Sequence, residues 1–261
     1  MSQPIPLGPS GSAILDLAQR IADAQNVFVL TGSGISAGSG LPTYRGYAST
    51  PRSAESLRFA KRGGFEEDPL GAWRWWNSRR YLHTMLEPNA AHHALAELER
   101  LVPLTLATQN VDSLHQRAGS RAVHELHGSL RYARCTGCAE RRELDAQGLP
   151  LDEIDHNCGG RWGPGFVRFG DPVPAEALEP ARIAASTADV ILSVGTSVVV
   201  EPAASLVRRW PRPDAVVAEI NLELTPLSTR AGFVLRANAA EVLPPLVAAV
   251  AALRWRAPQE P

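Results

Sequence analysis

Three cysteines are the residues whose spacing points most directly to metal chemistry. Cys135 and Cys138 form a C-x-x-C pair, and Cys158 follows 20 residues later, directly before two glycines. This spacing is typical of a zinc ribbon, in which four ligands hold a tetrahedral ion. There are three alternatives: a metal-free lobe held by packing, a metal site completed by water, or redox exchange by the C-x-x-C pair. The pattern predicts zinc and leaves the fourth ligand to be found.

A glycine-rich turn forms the second candidate site. The run Gly32-Ser33-Gly34-Ile35-Ser36-Ala37 matches G-x-G-x-x-G/A directly after a short apolar segment. Glycines there permit a tight turn and let the backbone approach a diphosphate, whose charge meets free N–H groups at a helix start. A turn without a ligand is the alternative. No acidic residue ends a second strand about 20 positions on, so an ordinary dehydrogenase is not indicated.

The elements around these residues predict an α/β protein. Apolar runs rich in β-branched residues end near Thr31, Asn110 and Ser197, and another starts at Ala215. Helical patterns alternate with them, which implies a doubly wound, Rossmann-like parallel sheet. Ligands of such a sheet bind at the carboxyl ends of its strands, where these polar residues stand.

Two segments do not fit this alternation, and we interpret them as a smaller lobe. Residues 47–94 are polar and then rich in Trp, and residues 129–165 contain all the cysteines. We expect a helical module and a zinc-ribbon-like module there. The Rossmann-like domain would comprise residues 1–46, 95–128 and 166–261.

Composition excludes several function classes. The formal net charge is −1 and charged residues make up 20% of the chain, so no electrostatic feature favours nucleic acid or an acidic membrane surface. The N-terminal segment lacks the basic start and apolar core of a signal peptide. We expect a cytoplasmic protein that binds neither nucleic acid nor membrane. The oligomeric state is left open.

Six segments resemble, in order, the successive motifs of the sirtuins, which are NAD-dependent protein deacylases. They are TGSGISAGSGLPTYRG, TQNVDSLHQRAGS, ELHGS, FVRFGDPVP, GTSVVVEPAASL and EIN. The resemblance implies NAD as cofactor and acyl-lysine proteins as substrates. The acyl group, most often acetyl, would pass from lysine to ADP-ribose with release of nicotinamide. A mono-ADP-ribosyltransferase or NAD hydrolase and a non-catalytic NAD sensor are the rival interpretations.

The resemblance also implies roles for individual residues. His127 would be the general base, because neutral imidazole accepts protons near pH 6.5, and Asn110 and Asp112 would act beside it. We interpret His92, His93 and His124 as structural. The residues assigned to NAD are Gly32, Ser33, Gly34, Ser36, Tyr44, Arg45, Gln109, Asn110, Asp112, Gly195, Thr196, Ser197, Asn221 and Ala237.

Two residues compete for the fourth zinc position. The relatives have a second C-x-x-C, and Asp155 stands where its first cysteine would be. Spacing therefore favours Asp155, whereas ligand preference favours the adjacent His156, because imidazole is the commoner partner of thiolates at zinc. The predicted ligand set is Cys135, Cys138, Cys158 and Asp155, with His156 as the alternative.

Substrate residues are expected in two places. Relatives that remove succinyl or malonyl groups have a Tyr-x-x-Arg pair, which Trp76 and Arg79 match without the hydroxyl; a solvated surface Arg79 is the alternative. An extended segment containing Phe166, Val167, Phe169 and Gly170 would pair with a peptide backbone by strand addition, or be a simple edge strand.

Overall fold

A six-stranded parallel sheet forms the centre of the larger lobe in the computed structural model, which describes residues 11–43, 54–210 and 212–255. The strands are β1 (Val27–Thr31), β2 (Leu104–Thr108), β3 (Val123–Glu125), β4 (Gly128–Cys135), β5 (Arg141–Glu143), β6 (Trp162–Phe166), β7 (Val190–Val194), β8 (Val216–Ile220) and β9 (Phe233–Leu235). The helices are α1 (Gly11–Asp23), α2 (Ala54–Phe59), α3 (Arg62–Glu67), α4 (Pro69–Thr84), α5 (Ala90–Leu101), α6 (Leu114–Arg117), α7 (Ala175–Thr187), α8 (Ala203–Arg208) and α9 (Ala239–Arg254).

The order of strands confirms the predicted Rossmann-like fold. The large sheet runs β3-β2-β1-β7-β8-β9, and all its neighbours are parallel. This is the strand order of a Rossmann fold once the inserted strands β4 to β6 are left out. The chain continues from β1 to one side of the sheet and from β7 to the other. The carboxyl ends of β1 and β7 therefore form the switch point where such folds bind ligands.

Both faces of the sheet are covered, which explains why its central strands are apolar throughout. In β1, Val27 and Val29 pack toward a core shared with α1, α5 and α9, and Phe28 and Leu30 toward a core shared with α7 and α8. All five residues of β1 are buried. Strands enclosed on both sides cannot show the polar alternation of a half-exposed strand.

The smaller lobe combines helices α2 to α4 with a three-stranded antiparallel sheet of order β5-β4-β6. They share a core that includes Phe65, Trp73 and Trp162. The buried Arg80 guanidinium at the end of α4 donates to the backbone oxygens of Leu130, Leu144 and Asp145. Since unpaired buried carbonyls are costly, Arg80 fixes this helix to the sheet.

One helix, α5, crosses the expected boundary between the two domains at residue 94. Helix α5, which a boundary at residue 94 would cut, packs through Ala91, Leu95 and Leu98 on the larger core. The division into two domains stays a prediction. Within the described residues, every helix falls short of the length and apolar character that a membrane-spanning segment needs.

Candidate active site

Two glycine-containing turns meet at the switch point. The N–H of Gly34 donates to the carbonyl of Gly195 over 2.7 Å, and Gly195 has a positive φ of 59°. A Cβ atom on Gly34 would lie 2.7 Å from the Cα of Gly195, closer than real Cβ atoms approach other atoms. Side chains are therefore excluded from both positions, and the turn after β1 packs backbone to backbone against the turn after β7.

The glycine-rich run differs in one respect from the expectation. The residues after it form a single 3-10 turn, Ala37–Ser39, and not the start of an α-helix within the described residues. The N–H groups of Gly34, Ile35 and Ser36 already donate to the carbonyls of Gly195, Gly32 and Ser33, so these three do not provide the free N–H donors expected for a phosphate. Tyr44 and Arg45, also assigned to the cofactor, lie outside the described residues.

Ser36, Asn110 and Asp112 form one buried hydrogen-bonded group. The Ser36 hydroxyl donates to Asp112 Oδ2 over 2.7 Å, and the Asn110 amide donates to Ser36 Oγ and to the Gly32 carbonyl, each over 3.1 Å. Asp112 Oδ1 accepts the N–H of Leu114 at the start of α6. These contacts bring three predicted site residues together and fix their orientation.

Gln109 connects the carboxyl ends of three strands. Its backbone N–H donates to the carbonyl of Thr31 over 3.0 Å, and its side-chain Nε2 donates to Thr196 Oγ1 over 2.8 Å. Its carbonyl oxygen lies 2.9 Å from Nδ1 of His127, which follows β3. Gln109 thus holds parts of β1, β7 and the β3–β4 connection around one point of the sheet edge.

The hydrogen bond to Gln109 determines the tautomer of His127. A carbonyl oxygen can only accept, so Nδ1 carries the proton and the lone pair stands on Nε2. Burial lowers the pKa of His127, and the hydrogen bond to the Gln109 carbonyl opposes that shift in part. The imidazole is therefore neutral at physiological pH and can accept a proton at Nε2.

A buried histidine pair lies behind the Ser36 group. His92 Nε2 is 3.4 Å from Ser36 Oγ, and the ring centroids of His92 and His115 are 4.9 Å apart. Burial is the main cause that lowers the pKa of His92 to about 4 and that of His115 to about 3, so both rings are neutral. The sequence predicts only a structural role for His92, whereas the structure brings its ring to the Ser36 group. A polar residue on the buried face of α5 was the available signal.

The remaining cofactor candidates lie along the same edge. Ser33 and Ser197 are partly exposed in the two glycine-containing turns. Asn221 follows β8, where its side chain donates to the Glu223 carbonyl over 2.9 Å, and Ala237 follows β9. The structure therefore gathers these candidates at the carboxyl ends of neighbouring strands. Their individual roles stay predictions.

The structure corrects the role expected for Trp76. Its ring is 1% exposed and packs in the small-lobe core, stacked on Phe65 at 5.5 Å between centroids and edge-on to Phe166. A ring enclosed in this way offers no surface to a substrate. Arg79 is partly exposed and lies over the Trp75 ring, 5.1 Å from Cζ to centroid. Its contact with an acyl group stays a prediction.

The three cysteines converge with a fourth residue in the small lobe. Cys135 Sγ lies 3.4 Å from Cys158 Sγ, and Cys138 Sγ lies 3.9 Å from His156 Nδ1. All four ligand atoms are within 4.8 Å of one another. A tetrahedron with zinc–sulfur bonds of about 2.3 Å has edges of about 3.8 Å, so this donor set fits a structural zinc site.

The fourth ligand position is corrected from Asp155 to His156. Asp155 is exposed, and its carboxylate pairs instead with Arg161 Nε at 3.1 Å. His156 Nε2 lies 3.3 Å from a Glu140 carboxylate oxygen, which leaves Nδ1 on the side of the cysteines. A carboxylate on the second ring nitrogen is a common way to orient a metal-binding histidine. Spacing misled here because the neighbour of the expected position turns inward.

Comparison with known proteins places this architecture in a family. The model of the Sir2 family matches residues 32–202. NAD-dependent protein deacylase 1 of Archaeoglobus fulgidus is 43% identical over 234 residues, which cover 88% of this chain and 95% of that protein. This chain belongs to the Sir2 family. A bacterial member, the NAD-dependent protein deacylase of Mycolicibacterium paratuberculosis, is 40% identical over 87% of this chain and 98% of its own length.

Solved structures of Sir2 proteins share the fold and carry ligands of the expected kind. A Sir2 homologue in complex with ADP-ribose superposes with a TM-score of 0.87 at 40% identity, covering 93% of this chain and 99% of that one. A Sir2 homologue in complex with NAD gives 0.84 at 38% identity over 96% and 98% of the two chains. A Sir2 protein bound to a p53 peptide and NAD+ gives 0.76 at 28% identity over 88% and 95%.

The contact between the two turns generates the first prediction. In Gly34→Ala, the new methyl group must push the turn away from Gly195, so we expect a loss of stability of about 1–3 kcal/mol and weaker ADP-ribose binding. Thermal unfolding and calorimetric titration measure both. Gly63→Ala is the control, because a Cβ at Gly63 has only an ordinary 3.9 Å contact with Glu67. Unchanged ADP-ribose affinity in Gly34→Ala would contradict the role given to this contact.

The metal site generates the second prediction. Elemental analysis of the purified protein should give about one zinc per chain. In competition with a chelator, His156→Ala should lose zinc at least about tenfold more readily than the wild type, and its melting temperature should fall. Asp155→Ala, which changes the neighbouring residue, should retain zinc. Loss of zinc in Asp155→Ala but not in His156→Ala would reverse the ligand assignment.

Proposed function

We propose that this protein is an NAD-dependent protein-lysine deacylase, which transfers the acyl group of an acyl-lysine to ADP-ribose and releases nicotinamide. The observation that carries the proposal is the state of His127. Its Nδ1–H is held by the Gln109 carbonyl, and its Nε2 lone pair is available at the strand edge that carries the two glycine-containing turns. The relatives with 40% or more identity over most of this chain, named as deacylases, support it.

The residues at this edge suit such a reaction. When bound, NAD supplies a ribose carbon that loses nicotinamide and ribose hydroxyls that can take up the acyl group. The partly exposed turn at Ser33 and Gly34, next to Ser197, would face the diphosphate. Asn110 and Asp112, fixed by Ser36, would hold the ribose and the carboxamide. His127 Nε2 would take the proton from a ribose hydroxyl.

Acyl-lysine segments of proteins are the proposed substrates. A Sir2 protein of known structure binds a p53 peptide together with NAD+. In this chain, residues 166–170 would contact the peptide mainly through the exposed Phe169 side chain, because the N–H groups of Val167 and Phe169 already donate to the His127 and Ala60 carbonyls. The bond from Val167, over 2.8 Å, keeps this segment close to His127. Acetyl-lysine is the first substrate to test. Arg79 is the residue through which an acidic acyl group such as succinyl would be recognised.

Deacylation that depends on His127 is the third prediction. With NAD and an acetyl-lysine peptide, the wild type should release nicotinamide and form equal amounts of lysine peptide and acyl-ADP-ribose, measured by mass spectrometry. Loss of a general base reduces rates by about 10²- to 10⁴-fold, which we expect for His127→Ala. His93→Ala is the control, because His93 is exposed on α5. Nicotinamide release without deacylation would favour a transferase or hydrolase, and absence of turnover a sensor.

The pH dependence of the reaction is the fourth prediction. The base must be neutral to accept a proton, and burial lowers the pKa of His127 below its ordinary value of 6.5. Activity should therefore stay constant as the pH falls from 8 to about 6.5 and decrease only below that. The profile of kcat/KM against pH measures this. An acidic limb centred above pH 7 would contradict the assignment of His127 as the base in this environment.

A further inference from the structure

The 167–170 segment joins the catalytic histidine to the small lobe. At its start, the Val167 N–H donates to the His127 carbonyl over 2.8 Å. Two residues later, the Phe169 N–H donates to the Ala60 carbonyl over 2.9 Å, and the Phe169 carbonyl accepts the N–H of Arg62 over 3.2 Å. The backbone is thus attached at one end to the proposed base and at the other to the turn between α2 and α3.

The side chain between these attachments is a nearly enclosed cation. Arg168 is 12% exposed, and its Nε and Nη2 donate to the two carboxylate oxygens of Asp171 over 2.7 and 3.4 Å. Its Nη1 donates to the Arg62 carbonyl and to Glu66 Oε1, each over 3.2 Å. All three guanidinium nitrogens are therefore engaged, which gives a fixed geometry that a solvated surface pair lacks.

Asp171 also binds the backbone of Arg168. Its Oδ2 also accepts the N–H of Arg168 over 3.2 Å, while its own N–H donates to the Arg168 carbonyl over 2.9 Å. Arg62 Nε lies 3.7 Å from Asp171 Oδ1. Two cations and two carboxylates thus hold the turn at Phe169 and Gly170 against α3. These contacts join Arg62, Glu66, Arg168 and Asp171, none of which is assigned to NAD.

We propose that Arg168 is a positioning residue for the acyl-lysine peptide. It holds the 167–170 segment in the path that presents Phe169, which is 46% exposed, and Gly170 to the peptide. This inference rests on the proposed function, because that function assigns the segment to the substrate. Arg168 acts on the affinity for the peptide and not on NAD or on the chemistry at His127, because within the described residues its side-chain contacts are confined to α3 and Asp171.

Steady-state kinetics with an acetyl-lysine peptide and NAD test the proposal. In Arg168→Met, we expect KM for the peptide to rise about tenfold, as for loss of a charge-assisted bidentate contact, with kcat and KM for NAD within about twofold of wild type. Arg168→Lys keeps the positive charge but cannot donate two hydrogen bonds to Asp171 as the guanidinium does, so its peptide KM should lie between those of the wild type and Arg168→Met. Glu66→Gln changes an exposed partner without threatening the fold and should raise the peptide KM by a smaller factor. Arg182→Met on α7 is the control.

Binding measurements separate this proposal from the proposed function. Anisotropy of a fluorescent acetyl-lysine peptide, with ADP-ribose present, gives the peptide Kd for wild type and variants. Absence of both peptide binding and turnover in the wild type overturns the proposed function and this inference with it. Wild-type binding with unchanged peptide affinity in Arg168→Met and Glu66→Gln overturns the inference alone. A joint change of kcat, both KM values and the melting temperature in both variants also overturns the inference alone, because that pattern marks a structural role.

Discussion

The backbone contact between Gly34 and Gly195 is the constraint on which the site depends. In this geometry a Cβ on Gly34 would lie 2.7 Å from the Gly195 Cα and one on Gly195 would lie closer still to the Ile35 nitrogen, so neither position can carry a side chain. Their contact continues the pairing of β1 with β7 beyond the strand ends, at the place where the chain turns to opposite sides of the sheet. Ser33, Gly34 and Ser197 are partly exposed beside it, and Thr196 lies within hydrogen-bonding distance of Gln109. A larger residue at either glycine would separate the two halves of the sheet edge.

Hydrogen bonds through Gln109 connect the ends of β1 and β7 to His127, the proposed base. Gln109 binds both turns through Thr31 and Thr196, and its carbonyl sets the tautomer of His127. Ser36 binds Asn110 and Asp112 on the other side. Because these groups are buried and satisfied by one another, their orientation costs little further entropy when a ligand binds. The small lobe reaches the same centre through Val167, whose N–H binds the His127 carbonyl.

The fold and the position of the large-lobe candidates were predictable because a buried parallel sheet gives two sequence features together: strands that are apolar throughout, and polar residues where the strands end. Buried strands are apolar throughout, and the polar residues that end them gather at one edge, so Gln109, Asn110 and Thr196 could be placed from sequence. The errors concern side-chain direction. Spacing could not tell which of Asp155 and His156 turns toward the cysteines, nor that Trp76 faces the small-lobe core. His92 was missed because its partner Ser36 lies 56 residues away in the chain.

The central claim is that NAD binds at the edge formed by the two glycine-containing turns, with its nicotinamide-side ribose beside His127. A crystal structure of the protein with ADP-ribose tests it most directly. We predict electron density for the diphosphate at the partly exposed turn of Ser33 and Gly34 and at Ser197, with the nicotinamide-side ribose facing Nε2 of His127. Density for ADP-ribose at another edge of the sheet, or a ribose turned away from His127 with its Nδ1–Gln109 hydrogen bond broken, would contradict the account.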